Sequence, residues 1–309
     1  MIKTGCVVQG NVRTELEHIL SELMRHFDQV ILSTWSEDAL KIPKGKFEVI
    51  LNQKPENPGF TNRNYQRVST AAGLKCAEEL GCTHVLKWRT DMLPTKLDVD
   101  KLLEWSDFQV PKGVSSRIVT CAFRNLSVIP DYFSSIPDLF AFADIEMMKL
   151  LWGTENFDFN KSFNAPQEMY DDCGFEWVSD PNISGLFCAE SELYATFKAR
   201  LERKLHSKLN HIEIASKYMY LINHDRLGIC WFGPNGGFRS ITQALQFPWW
   251  TERTWKTCKP KIIEMGYPET YLWQKLKRRL TPWVIKENIQ MQKKWIDKFN
   301  RNKKVGSHD

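Results

Sequence analysis

The chain has 309 residues, of which 42% are hydrophobic and 26% charged, with a formal net charge of +5. That length suits one large α/β domain with appendages or two small domains, and the average composition excludes a fibrous or wholly disordered chain. No window approaches the roughly 18 apolar residues of a membrane span, and the N-terminus lacks the apolar core and cleavage site of a signal peptide, so a cytoplasmic location is expected.

Residues 6–10 form a short apolar run ending in Gly10, which predicts a first strand. Thr14 and Glu17 have the spacing of a capping box. Leu16, Ile19, Leu20, Leu23, Met24 and Phe27 then fall on one helical face. Residues 30–35 and 47–51 predict a second and a third strand. After a Pro/Asn/Gly turn, Asn62 opens a second helix whose inward stripe is expected to be Tyr65, Val68, Ala72 and Cys76, with Gly81 as its stop. Residues 85–88 predict a fourth strand, ended by Arg89, Thr90 and Asp91.

Strands alternating with helices predict a mostly parallel sheet flanked by helices on both faces. Ligands of such sheets bind beyond the carboxyl ends of the strands. That rule places residues 9–13, 34–36 and 89–91 on one rim, with Gln9, Asn11, Thr34 and Arg89 as candidate ligand-binding residues. The second half is less regular. Strands are expected over 117–125 and 227–232, and a short helix over 144–152. A longer helix should be capped by Ser191, with Leu193, Phe197, Leu201, Leu205 and Leu209 along one side. Two more helices are expected near 269–280 and 284–299.

The eight cysteines, at 6, 76, 82, 121, 173, 188, 230 and 258, form no C-x-x-C pair and have mostly apolar neighbours. Buried free thiols in a reducing compartment are the expected state.

Asp91 closes a buried strand and precedes a Pro-containing loop. A carboxylate there suits a divalent cation and a diphosphate, because Mg²⁺ or Mn²⁺ takes few protein oxygens and several phosphate oxygens. A turn-capping aspartate is the plainer alternative. Asn62, Arg63, Gln66 and Arg67 crowd polar and cationic groups into the first turns of the second helix. A helix N-terminus favours anions and arginine recognises phosphate in bidentate fashion, so Asn62, Arg63 and Gln66 are further candidates for a phosphate-bearing ligand.

These segments resemble the WavE lipopolysaccharide-synthesis family. The likeness is carried by residues 62–66, by Ser69-Thr70-x-x-Gly73-Leu74-Lys75 and by Leu86-Lys87-x-Arg89-Thr90-Asp91. Gly10-Asn11-Val12 and residues 30–35 agree with it. So do Asp138 with Phe140 and Phe142, residues 146–152, and residues 190–194. The resemblance covers about residues 5–235 and is most specific in the first hundred. It implies a GT-A-type glycosyltransferase that moves a sugar from a nucleotide-sugar donor to a lipopolysaccharide or capsular glycan acceptor. A GT-A-like domain would then span 1–250, with a basic helical C-terminal extension over 251–309. The usual acidic strand-end pattern of such enzymes is Asp-x-Asp, and Arg89 stands where its first aspartate is expected. Either Asp91 holds Mg²⁺ or Mn²⁺ alone, or Arg89 does part of the metal's electrostatic work on phosphate.

An inverting transfer needs a general base for the acceptor hydroxyl. Asp138, Glu168, Asp171, Asp172 and Glu192 are the candidates. Asp138 is favoured, since its apolar neighbours make an unpaired carboxylate costly unless it is paired or working, and Glu192 comes next. His224 with Asp225, and residues 234–237, are weaker sites read as surface and turn.

Residues 251–309 hold 15 Lys and Arg against 6 Asp and Glu, so the remaining chain is slightly acidic. The aromatics interleaved with those cations, among them Tyr271, Trp273, Trp283 and Trp295, suit the anionic inner face of a membrane and a lipid-linked acceptor. No nucleic-acid-binding pattern accompanies the charge. Two rival functions share the same diphosphate site: a sugar-phosphate or alditol-phosphate transferase in capsule synthesis, and a non-catalytic nucleotide-sugar-binding scaffold.

Overall fold

A computed structural model describes residues 2–59, 62–121, 123–124, 136–155, 189–209, 213–223, 226–232, 238–240 and 249–250. The expected C-terminal extension, Glu168, Asp171, Asp172, His224, Asp225, residues 233–237 and Cys173, Cys188 and Cys258 lie outside them.

The chain runs β1 (Thr4–Gln9), α1 (Leu16–Leu23), β2 (Gln29–Trp35), a 3-10 turn (Ser36–Lys41), β3 (Glu48–Asn52), α2 (Arg63–Glu79) and β4 (His84–Arg89). It continues through β5 (Met92–Pro94), α3 (Val99–Asp107), β6 (Ile118–Cys121), β7 (Phe123–Arg124), β8 (Ala141–Asp144) and α4 (Ile145–Trp152). After α5 (Ala189–Leu205) come a π-helical turn (Ile214–Tyr218), β9 (Met219–Ile222), β10 (Ile229–Phe232), β11 (Phe238–Ser240) and β12 (Trp249–Trp250).

Seven strands form the main sheet in the order β3-β2-β1-β4-β8-β6-β9. All neighbours are parallel except β8, which runs against both β4 and β6. The protein is thus α/β with a mostly parallel sheet, as the alternating strand and helix signals predict. A small antiparallel sheet, β11-β10-β5, begins directly after β4.

Successive side chains of a strand face opposite sides of the sheet, and here the two sides differ in kind. Cys6, Val8, Val30, Leu32, Leu86 and Trp88 make the middle of one side apolar and buried. The side under α2 and α4 carries Val7, Gln9, Ser33, Lys87 and Arg89, which the register sets side by side. Gln9 and Ser33 reach α2 through Ser69: its hydroxyl donates to Gln9 Oε1 at 3.0 Å, and the Ser33 hydroxyl donates to its carbonyl at 2.6 Å.

The inward face of α2 is not the expected one. Tyr65, Val68, Ala72 and Cys76 are only half-buried, whereas Arg63, Asn64, Arg67, Ser69, Thr70, Gly73, Leu74 and Ala77 are buried. Two contacts turn the helix this way. Gly73 lies against Val7, so close that a Cβ would sit 2.2 Å from Val7 Cγ1. The two arginines meet a buried carboxylate of α5, described below.

Other boundaries move for local reasons. α1 begins at Leu16 with Glu15 at its N-cap and no side-chain cap bond, so the capping box at Thr14 does not form. The loop before it is held by Asp38 instead, which accepts from the Val12 amide at 3.1 Å. Its apolar face is as expected: Leu16, Ile19, Leu20 and Leu23 are buried, and Phe27 packs beyond the helix end. Ser191 lies inside α5 rather than at its cap, and Leu193, Phe197 and Leu201 face the core. Gly81 follows α2 at φ 77°, the left-handed stop expected of it. Cys6, Cys76, Cys82, Cys121 and Cys230 are free, and burial pushes each thiol up, that of Cys230 to about 12. Among the described residues no helix is long and apolar enough to cross a membrane.

α4 starts where β8 ends, because Asp144 serves both. It is the last residue of β8, and its Oδ1 accepts from the Met147 amide at 3.0 Å. Asp144→Ala should destabilise the fold by about 1 kcal/mol and Asp144→Asn by much less, as read by urea denaturation. Equal losses in the two variants would show that the cap is not what Asp144 contributes.

Candidate functional site

The strand order reverses direction at β1. The connection β1 to β2 to β3 moves one way, and β4 lies on the other side of β1. At such a switch point the loops leaving adjacent strands part and open a crevice at their carboxyl ends. Here that edge is formed by Gln9 and Gly10 from β1 and by Arg89, Thr90 and Asp91 from β4. Gly10 has φ 129°, and a Cβ on it would sit 2.6 Å from Thr90 Oγ1, so only glycine fits the gap. Asp91 lies at the corner where the chain leaves the main sheet for the small one, and its carbonyl accepts from the Phe232 amide at 2.8 Å.

The antiparallel course of β8 brings a second carboxylate to this edge. Lys87 of β4 pairs with Ala141 of β8, so the residues before β8 lie alongside the end of β4. Asp138 arrives there. Arg89 then bridges two acidic groups. Its Nε and Nη2 donate to the two oxygens of Asp91 at 2.9 and 3.0 Å, and its Nη1 donates to Asp138 Oδ2 at 2.7 Å. The Trp231 indole donates to Asp91 Oδ2 at 2.9 Å, and Arg13 Nη2 lies 3.6 Å from the same oxygen. Charge-assisted bonds of this kind contribute about 1.5–3 kcal/mol each.

Burial alone would raise the Asp91 carboxyl, but the Arg89 hydrogen bonds and charge, helped by Trp231 and Arg13, hold it below the usual range. Burial likewise disfavours charge on Arg89, and the two carboxylates outweigh it, keeping the guanidinium protonated. Beneath them Lys87 is fully buried. Its ammonium donates to the Asp138 carbonyl and sits 4.8 Å from the centre of the Trp152 ring. Burial lowers its pKa to about 7, partly opposed by the Asp138 charge.

A divalent cation does not fit this donor set. It needs carboxylate lone pairs facing an open position, and both oxygens of Asp91 and Oδ2 of Asp138 already accept from nitrogen donors. The Arg89 guanidinium lies between the two carboxylates, where a bridging cation would have to be. Among the described residues no group of three or more His, Cys, Asp or Glu side chains is placed to hold a metal.

Glu192, the second candidate base, belongs to another cluster. Arg63 Nε lies 2.8 Å from its Oε2 and Arg67 Nη2 3.4 Å from its Oε1, and Arg67 also donates to Thr196 Oγ1 at 3.0 Å and to the Gly153 carbonyl at 3.1 Å. A carboxylate 1% exposed and held by two arginines joins α2 to α5 rather than facing an acceptor. Arg63 is a partner in that clamp. Of the other candidate donor-binding residues, Asn62 is exposed at the α2 N-cap with φ 61°, Gln66 is half-buried one turn on, and Asn11 is exposed just past Gly10. Thr34 is buried, and its hydroxyl has no hydrogen-bond partner among the described residues.

Sequence reasoning missed Lys87 and Trp231 as parts of this site. Lys87 carried one signal: a lysine within an otherwise apolar strand that ends at the site.

No protein-family model matches the chain, and no curated protein does. Among solved structures it is similar to HddC from Yersinia pseudotuberculosis complexed with GMP-PN, at 13% identity and a TM-score of 0.30, over 53% of this chain and 83% of that one.

Proposed function

We propose that the chain is a glycosyltransferase of the GT-A type, acting on a nucleotide-sugar donor and a lipopolysaccharide or capsular glycan acceptor. The observation that carries the reading is the Arg89–Asp91–Asp138 constellation at the β1/β4 switch point. The WavE resemblance lends the substrate class. In this reading Arg89 and Arg13 face the donor diphosphate, while Asp91 fixes the plane of the Arg89 guanidinium. The Asp138 carboxylate takes the proton from the acceptor hydroxyl as its oxygen bonds to the sugar carbon. The bond from that carbon to the diphosphate breaks, and the nucleoside diphosphate departs with the electron pair, its charge met by guanidinium groups already in place. Asp138 is suited to the task because only its Oδ2 is hydrogen-bonded among the described residues.

The test is a thermal-shift screen against UDP, GDP, CMP and dTDP, followed by mass analysis of products made from sugar donors of the stabilising nucleotide. Nucleoside diphosphate release with wild type is expected, and Asp91→Ala should lower turnover about 100-fold or more. Transfer of sugar phosphate to the acceptor, with a nucleoside monophosphate released from a nucleoside diphosphate sugar, would instead identify a sugar-phosphate transferase. Nucleotide binding without any product would favour the scaffold function.

A further inference from the structure

We infer that this site needs no divalent cation, and that the Arg89 guanidinium is itself the resident cation that meets the donor diphosphate. The inference rests on the proposed nucleotide-sugar reading and sharpens it, because it fixes how the leaving group is stabilised.

Charge and donor geometry carry the argument. Asp91 and Asp138 bring two negative charges to the end of β4, as an acidic metal-binding pair would. Arg89 brings one positive charge to both carboxylates, at 2.7–3.0 Å, and Arg13 a second to Asp91, at 3.6 Å. The pair is therefore neutralised by side chains, to the degree that a divalent ion would neutralise it. An added ion would have to expel Arg89 from both carboxylates or sit beside two guanidinium groups that repel it.

Arg89 also keeps the means to bind an anion. A guanidinium has five N–H donors, and three are spent on the carboxylates. The remaining two, one on Nη1 and one on Nη2, belong to a side chain that is 21% exposed, whereas Asp91 is almost wholly covered. The arrangement thus covers Asp91 and presents the guanidinium that it holds. Trp231 reinforces it by occupying Asp91 Oδ2 from the β10 side. Unlike a bound ion, the guanidinium cannot be removed by chelation or exchanged for another metal.

The test is calorimetric titration of the full chain with UDP, GDP, CMP and dTDP, in excess EDTA and again with Mn²⁺. Paramagnetic resonance of free Mn²⁺ measures ion retention by the protein alone. The expected result is one nucleotide binding with equal affinity in both conditions, no Mn²⁺ retained by wild type, and at least about tenfold weaker binding by Arg89→Gln, with Arg89→Lys intermediate. Should either arginine variant fail to fold, the wild-type comparison of EDTA with Mn²⁺ decides alone. Binding that requires Mn²⁺ overturns the inference and leaves the glycosyltransferase reading standing. A folded wild-type chain that binds none of these nucleotides in either condition overturns both.

Discussion

Lys87→Met is expected to make the protein more stable at pH 7 and much less active. Lys87 has a folded pKa of about 7 against an unfolded value of 10.5. A lysine whose pKa is lowered on folding binds its proton more tightly in the unfolded chain. Stability therefore rises as pH climbs through the window from about 7 to 10.5, with the penalty fully present below it and gone above it. A shift of that size corresponds to about 4–5 kcal/mol. Methionine fills a similar volume without the charge, so replacing a buried ion with it should stabilise by about 1–3 kcal/mol at pH 7, net of the lost bond to the Asp138 carbonyl. Activity should fall because that bond fixes the segment carrying Asp138. Urea denaturation at pH 7 and pH 10 measures the first effect: the wild type should gain stability across the interval and the variant should not. A variant less stable than wild type at pH 7, with a flat wild-type curve, would show that the buried ammonium is a net stabiliser.

Gly73→Ala should act in the opposite direction to its helix propensity. Alanine in mid-helix is favoured over glycine by about 1 kcal/mol. The new Cβ would nevertheless lie 2.2 Å from Val7 Cγ1, a fully buried, β-branched side chain in the central strand. α2 must then lift from the sheet, which costs about 1–3 kcal/mol by overpacking alone. It also strains the Arg63 and Arg67 clamp to α5. Adding Val7→Ala should restore part of the loss, giving a coupling energy between the two positions that chemical denaturation can measure. An alanine variant as stable as wild type would mean that the helix has room the structure does not show.

The first half of the fold was legible because its signals are local. β1 to β4 are apolar runs of strand length, and Gly10 and Gly81 mark turns where only glycine is comfortable. The rim followed from the rule for parallel sheets, and with it Arg89 and Asp91. Asp138 was found through its apolar neighbours, which made an idle carboxylate improbable. The face of α2 was misread because apolar periodicity points to Tyr65, Val68, Ala72 and Cys76, while the real inward residues are polar. Their partner, Glu192, is more than a hundred positions away, and nothing near Arg63 or Arg67 reveals it. β8 and β9 are four residues each, too short for an alternating pattern to register. The antiparallel sense of β8, which delivers Asp138, left no mark in the sequence either.

The seam between β4 and β8 also bears on how the protein is born. On one side of it, β1, β2, β3 and β4 are joined by compact strand–helix–strand excursions, of the sort a nascent chain completes early. On the other, β6 finds its parallel neighbour β9 only after about a hundred further residues have been made. Arg89 and Asp91 belong to the early half, and Asp138 and Trp231 to the late one. Until the late half docks, Arg89 can pair with its near neighbour Asp91 but not with Asp138. Ligand recognition should therefore be the last property a refolding or newly synthesised chain acquires, well after its helical signal has recovered.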